Sequence, residues 1–199
     1  MRTLGLAVVL SALLGAGGSR PPPPPRWALG LGPEFRSSWK LAQKLLVETR
    51  ELTRDFVLRH LPGVQLQLLP LSEQLLPGSL RTRDWLGLTV LARLQGLGAA
   101  LPQYRGALAR LGLPGGDPEF AQRLQDVDWD LRDLAHHVAY QLSVARAPAA
   151  PPPRPPPPAP RAVWRRLQAT AVTLRSLEAV LARAARDFAL LRRLVPAPL

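Results

Sequence analysis

The sequence predicts an all-α protein: a four-helix bundle with up-up-down-down topology and long crossover loops after the first and third helices. Four stretches of the chain repeat apolar residues at steps of three and four, which places those residues on one face of a helix. The three connections differ in length, because the middle one is a tight turn and the outer two are long. With 199 residues, the chain is large enough for one domain with its own core.

The first 33 residues are predicted to lie outside the bundle. Residues 1–18 are typical of a secretory signal peptide, with an apolar run, Leu4–Leu14, followed by small residues, Gly15–Ser19. We expect cleavage near Gly18 and a secreted protein. Residues 19–33 form a proline-rich tail that favours polyproline II, and we interpret this tail as a spacer.

The first helix is predicted over residues 34–60, with Ser37 or Ser38 as the candidate N-cap. Pro62-Gly63 ends it. The segment from residue 61 to residue 81 has no helical period, and we expect a long connection whose leucines lie against the bundle.

The second helix is predicted over residues 83–112. Its apolar stripe continues without a break through Gly96, Gly98 and Pro102, which favours one helix bent at the proline over two separate helices. A tight turn at residues 113–116 follows.

The third helix is predicted over residues 118–146. Asp117-Pro118-Glu119 is a strong helix start, with an acidic N-cap, proline at the first helical position and an acid in the first turn. The helix is followed by a connection at residues 147–160 that is nearly all proline and alanine.

The fourth helix is predicted over residues 161–194, and it has the longest apolar stripe of the chain. A narrow stripe of this length needs a cover, either other helices of this chain, a lipid surface or another protein. The opposite face carries seven arginines: Arg165, Arg166, Arg175, Arg183, Arg186, Arg192 and Arg193.

The lengths of the connections predict the topology. A helix of about 27 residues is about 40 Å long, so the short turn makes the second and third helices antiparallel. The two outer connections each reach about 40 Å or more when extended, and each can therefore run the length of the bundle. This wiring is typical of helical cytokines.

The composition argues against an enzyme, and no cofactor is expected. The chain contains no cysteine and no glycine-rich phosphate loop. His136 and His137 are adjacent on a helix, so they cannot share one metal ion. Asp126 and Asp130 lie at helical spacing with Arg123 and Arg132 nearby, which indicates a solvated, salt-bridged surface.

The net charge of +12 comes almost wholly from arginine, and the arginines are spread over all the helices. We therefore interpret them as solvated helix faces and expect no nucleic-acid partner, with glycan binding as an open alternative. No stretch after the signal is apolar enough to span a membrane.

Some aromatic residues fall outside the apolar stripes and are candidate interaction residues. Trp129 faces away from its stripe, and Asp133, His136 and Tyr140 continue the same outward row. Exposed tryptophan and tyrosine are typical of protein–protein hot spots.

Two more tryptophans open helices directly after the long loops, where a helix end is poorly covered. Trp85 opens the second helix and Trp164 opens the fourth. Each is either an interaction residue or a partly buried residue at the end of the core.

Several segments resemble a known family. They are His60-Leu61-Pro62-Gly63-Val64, Leu68-Leu69-Pro70-Leu71, Glu73-Gln74-Leu75, Ser79-Leu80, Trp85, Asp130-Leu131-Arg132-Asp133-Leu134, Ser176-Leu177-Glu178, Val180-Leu181 and Arg183-Ala184. They resemble the alpha subunits of interleukin-27-type cytokines, within the interleukin-6-type long-chain helical family. One departure is clear: the relatives carry a long acidic run between the third and fourth helices, where this chain has proline and arginine.

The resemblance implies a cytokine subunit that pairs non-covalently with a soluble cytokine-receptor-like beta subunit. The pair would bind the interleukin-27 receptor alpha chain and glycoprotein 130, trigger JAK–STAT signalling and regulate T-cell and innate immune responses. By position, the resemblance implies a beta-subunit interface at Trp85 and Arg186 and a glycoprotein 130 interface at Trp164.

The receptor alpha chain would meet the first and third helices, where the outward row lies. We therefore expect its interface at Trp129, His136 and Tyr140. The alternative function is a secreted, apolipoprotein-like protein whose amphipathic helices bind lipid, without inserting into the membrane.

Overall fold

The computed structural model describes residues 21–65, 82–110, 117–148 and 162–195, and the regular structure in these ranges is helical throughout. The all-α prediction is therefore confirmed. The elements are a 3₁₀ helix (Arg26–Gly30), α1 (Gly32–His60), α2 (Thr82–Leu86), α3 (Val90–Leu108), α4 (Pro118–Val144) and α5 (Val163–Leu194). The predicted signal peptide, the turn at 113–116 and most of both long connections lie outside the described ranges.

The apolar stripes of the four long helices meet in one core. α1 and α3 each pack against both α4 and α5, so α4 and α5 lie on opposite edges of the bundle. Phe35 and Phe56 of α1 are fully buried there, as are Leu131 of α4 and Phe188 of α5. Each such side chain contributes roughly 1.5–3 kcal/mol through removal from water. The long stripe of α5 is thus covered by helices of the same chain.

Polar contacts fix how α1 lies against α4. Near the beginning of α1, the Gln141 amide donates a hydrogen bond of 2.8 Å to the Ser38 hydroxyl. Near the end of α1, Arg123 donates to Asp55 at 2.8 Å. The beginning of each helix therefore lies beside the end of the other.

α3 also lies against α4 with the end of one helix beside the beginning of the other. Arg105, late in α3, makes two hydrogen bonds of 2.9 Å and 3.0 Å with Asp128. Earlier in α3, a Cβ on Gly98 would stand 3.0 Å from the side chain of Leu142, late in α4. Glycine at this position allows the two helices to approach closely.

The proline-rich tail is not merely a spacer, and this prediction needs correction. The 3₁₀ helix packs on the core with Ala28 completely buried, and Leu31 is buried as well. α1 begins at Gly32, two residues before the predicted start, because Pro33 fits the first helical turn. Neither Ser37 nor Ser38 is an N-cap, since both lie inside the helix and no side chain caps α1.

The prediction of one helix over residues 83–112 is wrong at its beginning, and its end is also too late, since the helix ends at Leu108. α2 ends at Leu86 and α3 begins at Val90, because Thr89 has an extended backbone and caps α3. The Thr89 hydroxyl accepts a hydrogen bond of 3.1 Å from the Ala92 N–H. From there α3 continues as a single helix through Pro102, up to Leu108.

The predicted start of α4 is confirmed, since one Asp117 carboxylate oxygen accepts hydrogen bonds from the N–H groups of Glu119 and Phe120. These bonds, that to Phe120 above all, lower the pKa of Asp117. α4 ends at Val144, two residues before the predicted end, and Arg146 follows with a φ of 50°. α5 begins at Val163 instead of Arg161, after an extended Ala162.

Candidate functional site

Trp85 lies where α2, α3 and α5 come together. Its indole N–H donates a hydrogen bond of 2.7 Å to a carboxylate oxygen of Asp187. The guanidinium carbon of Arg93 lies 4.7 Å from the centre of the indole ring, which is cation–π distance. The indole N–H is therefore hydrogen-bonded within the molecule. Trp85 is half-buried, so part of its side chain remains accessible to solvent.

Arg93 and Asp187 form a buried ion pair beneath Trp85. Their side chains are 1% and 0% exposed. Arg93 donates to Asp187 and to the backbone carbonyl of Trp85, and its Nε–H donates to the carbonyl of Leu88 at 3.2 Å. These carbonyls lie where the helix is interrupted, so Arg93 adds hydrogen-bond donors at the break between α2 and α3.

Sequence reasoning missed this pair, because it treated the arginines as solvated. A signal was present. Arg93 lies three residues after Val90 and four before Leu97, and so falls on the apolar stripe. Asp187 likewise falls on the stripe of α5. Opposite charges on two stripes that face the same core indicate a buried pair, because an unpaired charge there is very costly.

Arg186 is exposed and adjacent to Asp187 in α5. Its backbone adjoins that of Asp187, but its exposed side chain points to another side of the helix than the buried carboxylate does. That Arg186 and Trp85 share one interface stays a prediction.

Trp164 is the second residue of α5, and 51% of it is exposed. Ala162 precedes the helix without a capping side chain. A large aromatic side chain is thus presented to solvent at the start of the longest helix.

The predicted outward row on α4 is exposed. Trp129 and Tyr140 are 48% and 55% exposed, and Asp133 and His136 between them are exposed as well. At its later end the row borders a cavity of about 290 Å³ between α1 and α4, lined in part by Glu34, His136 and Tyr140. α4 therefore presents two aromatic side chains along one outer line.

The sequence predicted a salt-bridged surface in which Asp126 and Asp130 lie near arginines of the same helix. In the structure, the charged residues beside this row have other partners. Asp130 binds Lys44 of α1 at 2.6 Å, and Arg123 binds Asp55 of α1 at 2.8 Å. Arg132 pairs with its neighbour Asp133 at 3.3 Å. Asp130 and Arg123 are therefore tied to α1, whereas Asp133 pairs within α4.

In the described parts of the chain, no three potential metal-ligating side chains come together, and no helix combines the length and apolarity needed to cross a bilayer.

The comparison with known proteins decides the family. No family model matches the chain. It is 40% identical over 209 residues to the Interleukin-27 subunit alpha of Sus scrofa, covering 94% of this chain and 87% of that protein. It is 34% identical over 197 residues to the Interleukin-27 subunit alpha of Homo sapiens, covering 87% of this chain and 81% of the human protein.

The chain belongs to the interleukin-27 subunit alpha family. The similarity extends over most of the chain and is therefore not confined to one short motif. As an interleukin-27 alpha homologue, the chain is a cytokine subunit with a helical fold.

Proposed function

We propose that this chain is secreted and pairs non-covalently with a soluble cytokine-receptor-like beta subunit to form an interleukin-27-like heterodimer. The heterodimer binds the interleukin-27 receptor alpha chain and glycoprotein 130, triggers JAK–STAT signalling and regulates T-cell and innate immune responses. The observation that carries the proposal is the exposure of large aromatic side chains on two different helices of a family member, at Trp129 and Trp164. Such side chains are typical anchors of protein–protein interfaces.

The proposed topology is up-up-down-down with long crossover connections. Support comes from contacts between opposite ends of the helices. Trp39, early in α1, stacks against Arg192, late in α5, and Arg93, early in α3, pairs with Asp187 of α5. With the contacts of α1 and α3 on α4, these pairs favour α1 and α3 running in one direction and α4 and α5 in the other.

The beta subunit is proposed to bind at Trp85 and Arg186. The bonds that Trp85 makes with Arg93 and Asp187 hold its ring in one orientation before a partner arrives. Pre-organisation of this kind lowers the entropy lost on binding. The absence of cysteine from the chain is compatible with non-covalent pairing.

The receptor chains are proposed to bind elsewhere on the bundle. Glycoprotein 130 is assigned to Trp164 at the start of α5, and the receptor alpha chain to Trp129, His136 and Tyr140 of α4. Separate surfaces would let one small bundle hold several receptor-type chains together.

Two tryptophan substitutions test the assignment. Trp164→Ala is expected to leave beta-subunit pairing and receptor alpha-chain binding intact while abolishing glycoprotein 130 binding and STAT phosphorylation. Trp129→Ala, which truncates an equally exposed tryptophan, is expected to weaken receptor alpha-chain binding and spare glycoprotein 130. Truncation of a hot-spot tryptophan commonly costs about 2 kcal/mol or more, roughly thirtyfold in affinity.

The measurements are co-purification for pairing, binding of purified receptor ectodomains, and STAT phosphorylation in responsive cells. Circular dichroism of both variants checks that the helices are retained. Full STAT phosphorylation by the Trp164→Ala heterodimer would refute the glycoprotein 130 assignment.

A further inference from the structure

The charges of the bundle are divided between its two opposite edges. α4 carries five acidic and two basic side chains, whereas α5 carries seven arginines and two acidic side chains. α1 and α3 lie between these helices, because each packs against both. A chain with a net charge of +12 therefore has one helix of opposite sign.

The exposed tryptophan of α4 lies within this acidic surface. Asp126 lies one turn before the outward row described above. We call the five exposed residues together the α4 outer row: Asp126, Trp129, Asp133, His136 and Tyr140. Asp126 is three residues before Trp129 and Asp133 is four residues after it, so both carboxylates flank the indole on the same face.

Within the described ranges, neither flanking carboxylate forms a direct ion pair with a cation of another helix, although the charge of Arg105 of α3 acts on Asp133. In the described part of the chain, Asp126 accepts a hydrogen bond of 3.0 Å from Gln122, which is a neutral amide. Asp133 pairs with the adjacent, exposed Arg132 at 3.3 Å, and such surface pairs are weak. By contrast, Asp130 is held at 2.6 Å by Lys44 of α1.

α1 adds to the negative surface beside Asp126. Glu48 and Glu51 line a cavity of about 150 Å³ together with Asp126, and the arginine that lines it, Arg123, is bound to Asp55. Burial raises the pKa of Glu48, and the charges of Asp130 and Asp126 raise it further against the opposing effect of Lys44. Three carboxylates, those of Glu48, Glu51 and Asp126, therefore lie together at this edge of the bundle.

We propose that the α4 outer row docks a basic protein surface, one that lays an arginine side chain on Trp129 between Asp126 and Asp133. An arginine can stack its planar guanidinium on the indole and still donate hydrogen bonds to flanking carboxylates. The same chain shows such stacking elsewhere, where the guanidinium of Arg192 lies 3.7 Å from the ring centre of Trp39. An acidic partner would be repelled here, so the row selects its partner by charge.

This inference rests on the proposed function, in which a receptor ectodomain binds α4. The experiment uses the purified heterodimer and measures its association with each of the two receptor ectodomains, from about 50 mM to about 300 mM salt. Three forms are compared with the wild type: Trp129→Ala, the double variant Asp126→Asn/Asp133→Asn, and the control Glu119→Gln/Glu178→Gln. The control removes the same number of charges, one from the beginning of α4 and one from α5.

The expected result concerns whichever ectodomain Trp129→Ala releases. The rate at which that ectodomain associates with the wild-type heterodimer should fall as the salt concentration rises. At low salt, the Asp126→Asn/Asp133→Asn variant should associate roughly three- to tenfold more slowly than the wild type. The Glu119→Gln/Glu178→Gln control should leave the rate unchanged.

Several results would overturn the inference. One is an association rate that rises or stays constant in the aspartate double variant. Another is that Trp129→Ala releases neither ectodomain. A third is self-association of the chain that Trp129→Ala abolishes, because the occupant would then be a second copy presenting its basic α5. If Trp129→Ala releases glycoprotein 130 with the expected salt dependence, the charge inference stands and the proposed receptor assignment fails.

Discussion

At the scale of single residues, Glu48 illustrates how burial and repulsion can outweigh a nearby ion pair. Lys44 lies 3.6 Å from the Glu48 carboxylate and lowers its pKa. Burial acts in the opposite direction and is the largest effect, and Asp130 and Asp126 add to it. The pKa of Glu48 is therefore raised in the folded state, which means that its negative charge opposes folding.

Glu48→Gln is expected to leave the protein as stable as the wild type at pH 7, or to raise the melting temperature by no more than about 2 °C. The folded pKa of Glu48 lies above its ordinary value of 4.5 in the unfolded chain. The carboxyl therefore favours folding at pH below that ordinary value, where it is protonated, and opposes folding as pH rises through the folded pKa. The stability of the Glu48→Gln variant relative to the wild type is therefore higher at neutral pH than in acid. Thermal unfolding at pH 7 and in acid measures this, with Glu51→Gln as the exposed control. A clear loss of stability at pH 7 would contradict the reasoning.

At the scale of elements, the break between α2 and α3 was partly visible in the sequence. The repeating apolar stripe begins at Val90, and Thr89 directly before it is a good N-cap. The apolar pattern did not predict which side chain stabilises the break. Arg93 of α3 binds the carbonyls at the end of α2 and pairs with Asp187 of α5, and this contact depends on how the helices pack.

Asp187→Asn is expected to lower the free energy of unfolding by about 3–5 kcal/mol, because Arg93 would remain buried without its counter-charge. Arg93→Met/Asp187→Leu is expected to recover part of that loss, since it removes both charges but leaves the Trp85 indole N–H and the Leu88 carbonyl without these partners. Asp128→Asn serves as the control, because the partly exposed pair of Asp128 with Arg105 should contribute about 0–1 kcal/mol. Urea unfolding measures all three. Equal losses in Asp187→Asn and Asp128→Asn would show that burial does not set the energy of the Arg93–Asp187 pair.

At the scale of the whole molecule, the sequence predicted well what depends on periodicity. The three–four spacing determined which side chains enter the core, and it also determined that Trp129 and Tyr140 point outward. It could not predict that Ala28 and Leu31 pack on the core, because a short proline-rich segment has no period and its packing depends on the bundle surface. The exposure of Trp164 was left open for the same reason: it lies at a helix end, where the neighbouring loop decides burial.

The central claim is that this interleukin-27 alpha homologue acts as half of a secreted heterodimer. The most direct measurement is co-expression with a soluble cytokine-receptor-like beta subunit and capture of this chain from the culture medium. The wild type should bring the beta subunit with it, as should the control Arg54→Glu, which reverses a 70% exposed charge on α1. Arg186→Glu, with unchanged circular dichroism, should release the beta subunit. Capture of secreted wild-type chain without any beta subunit would contradict the account.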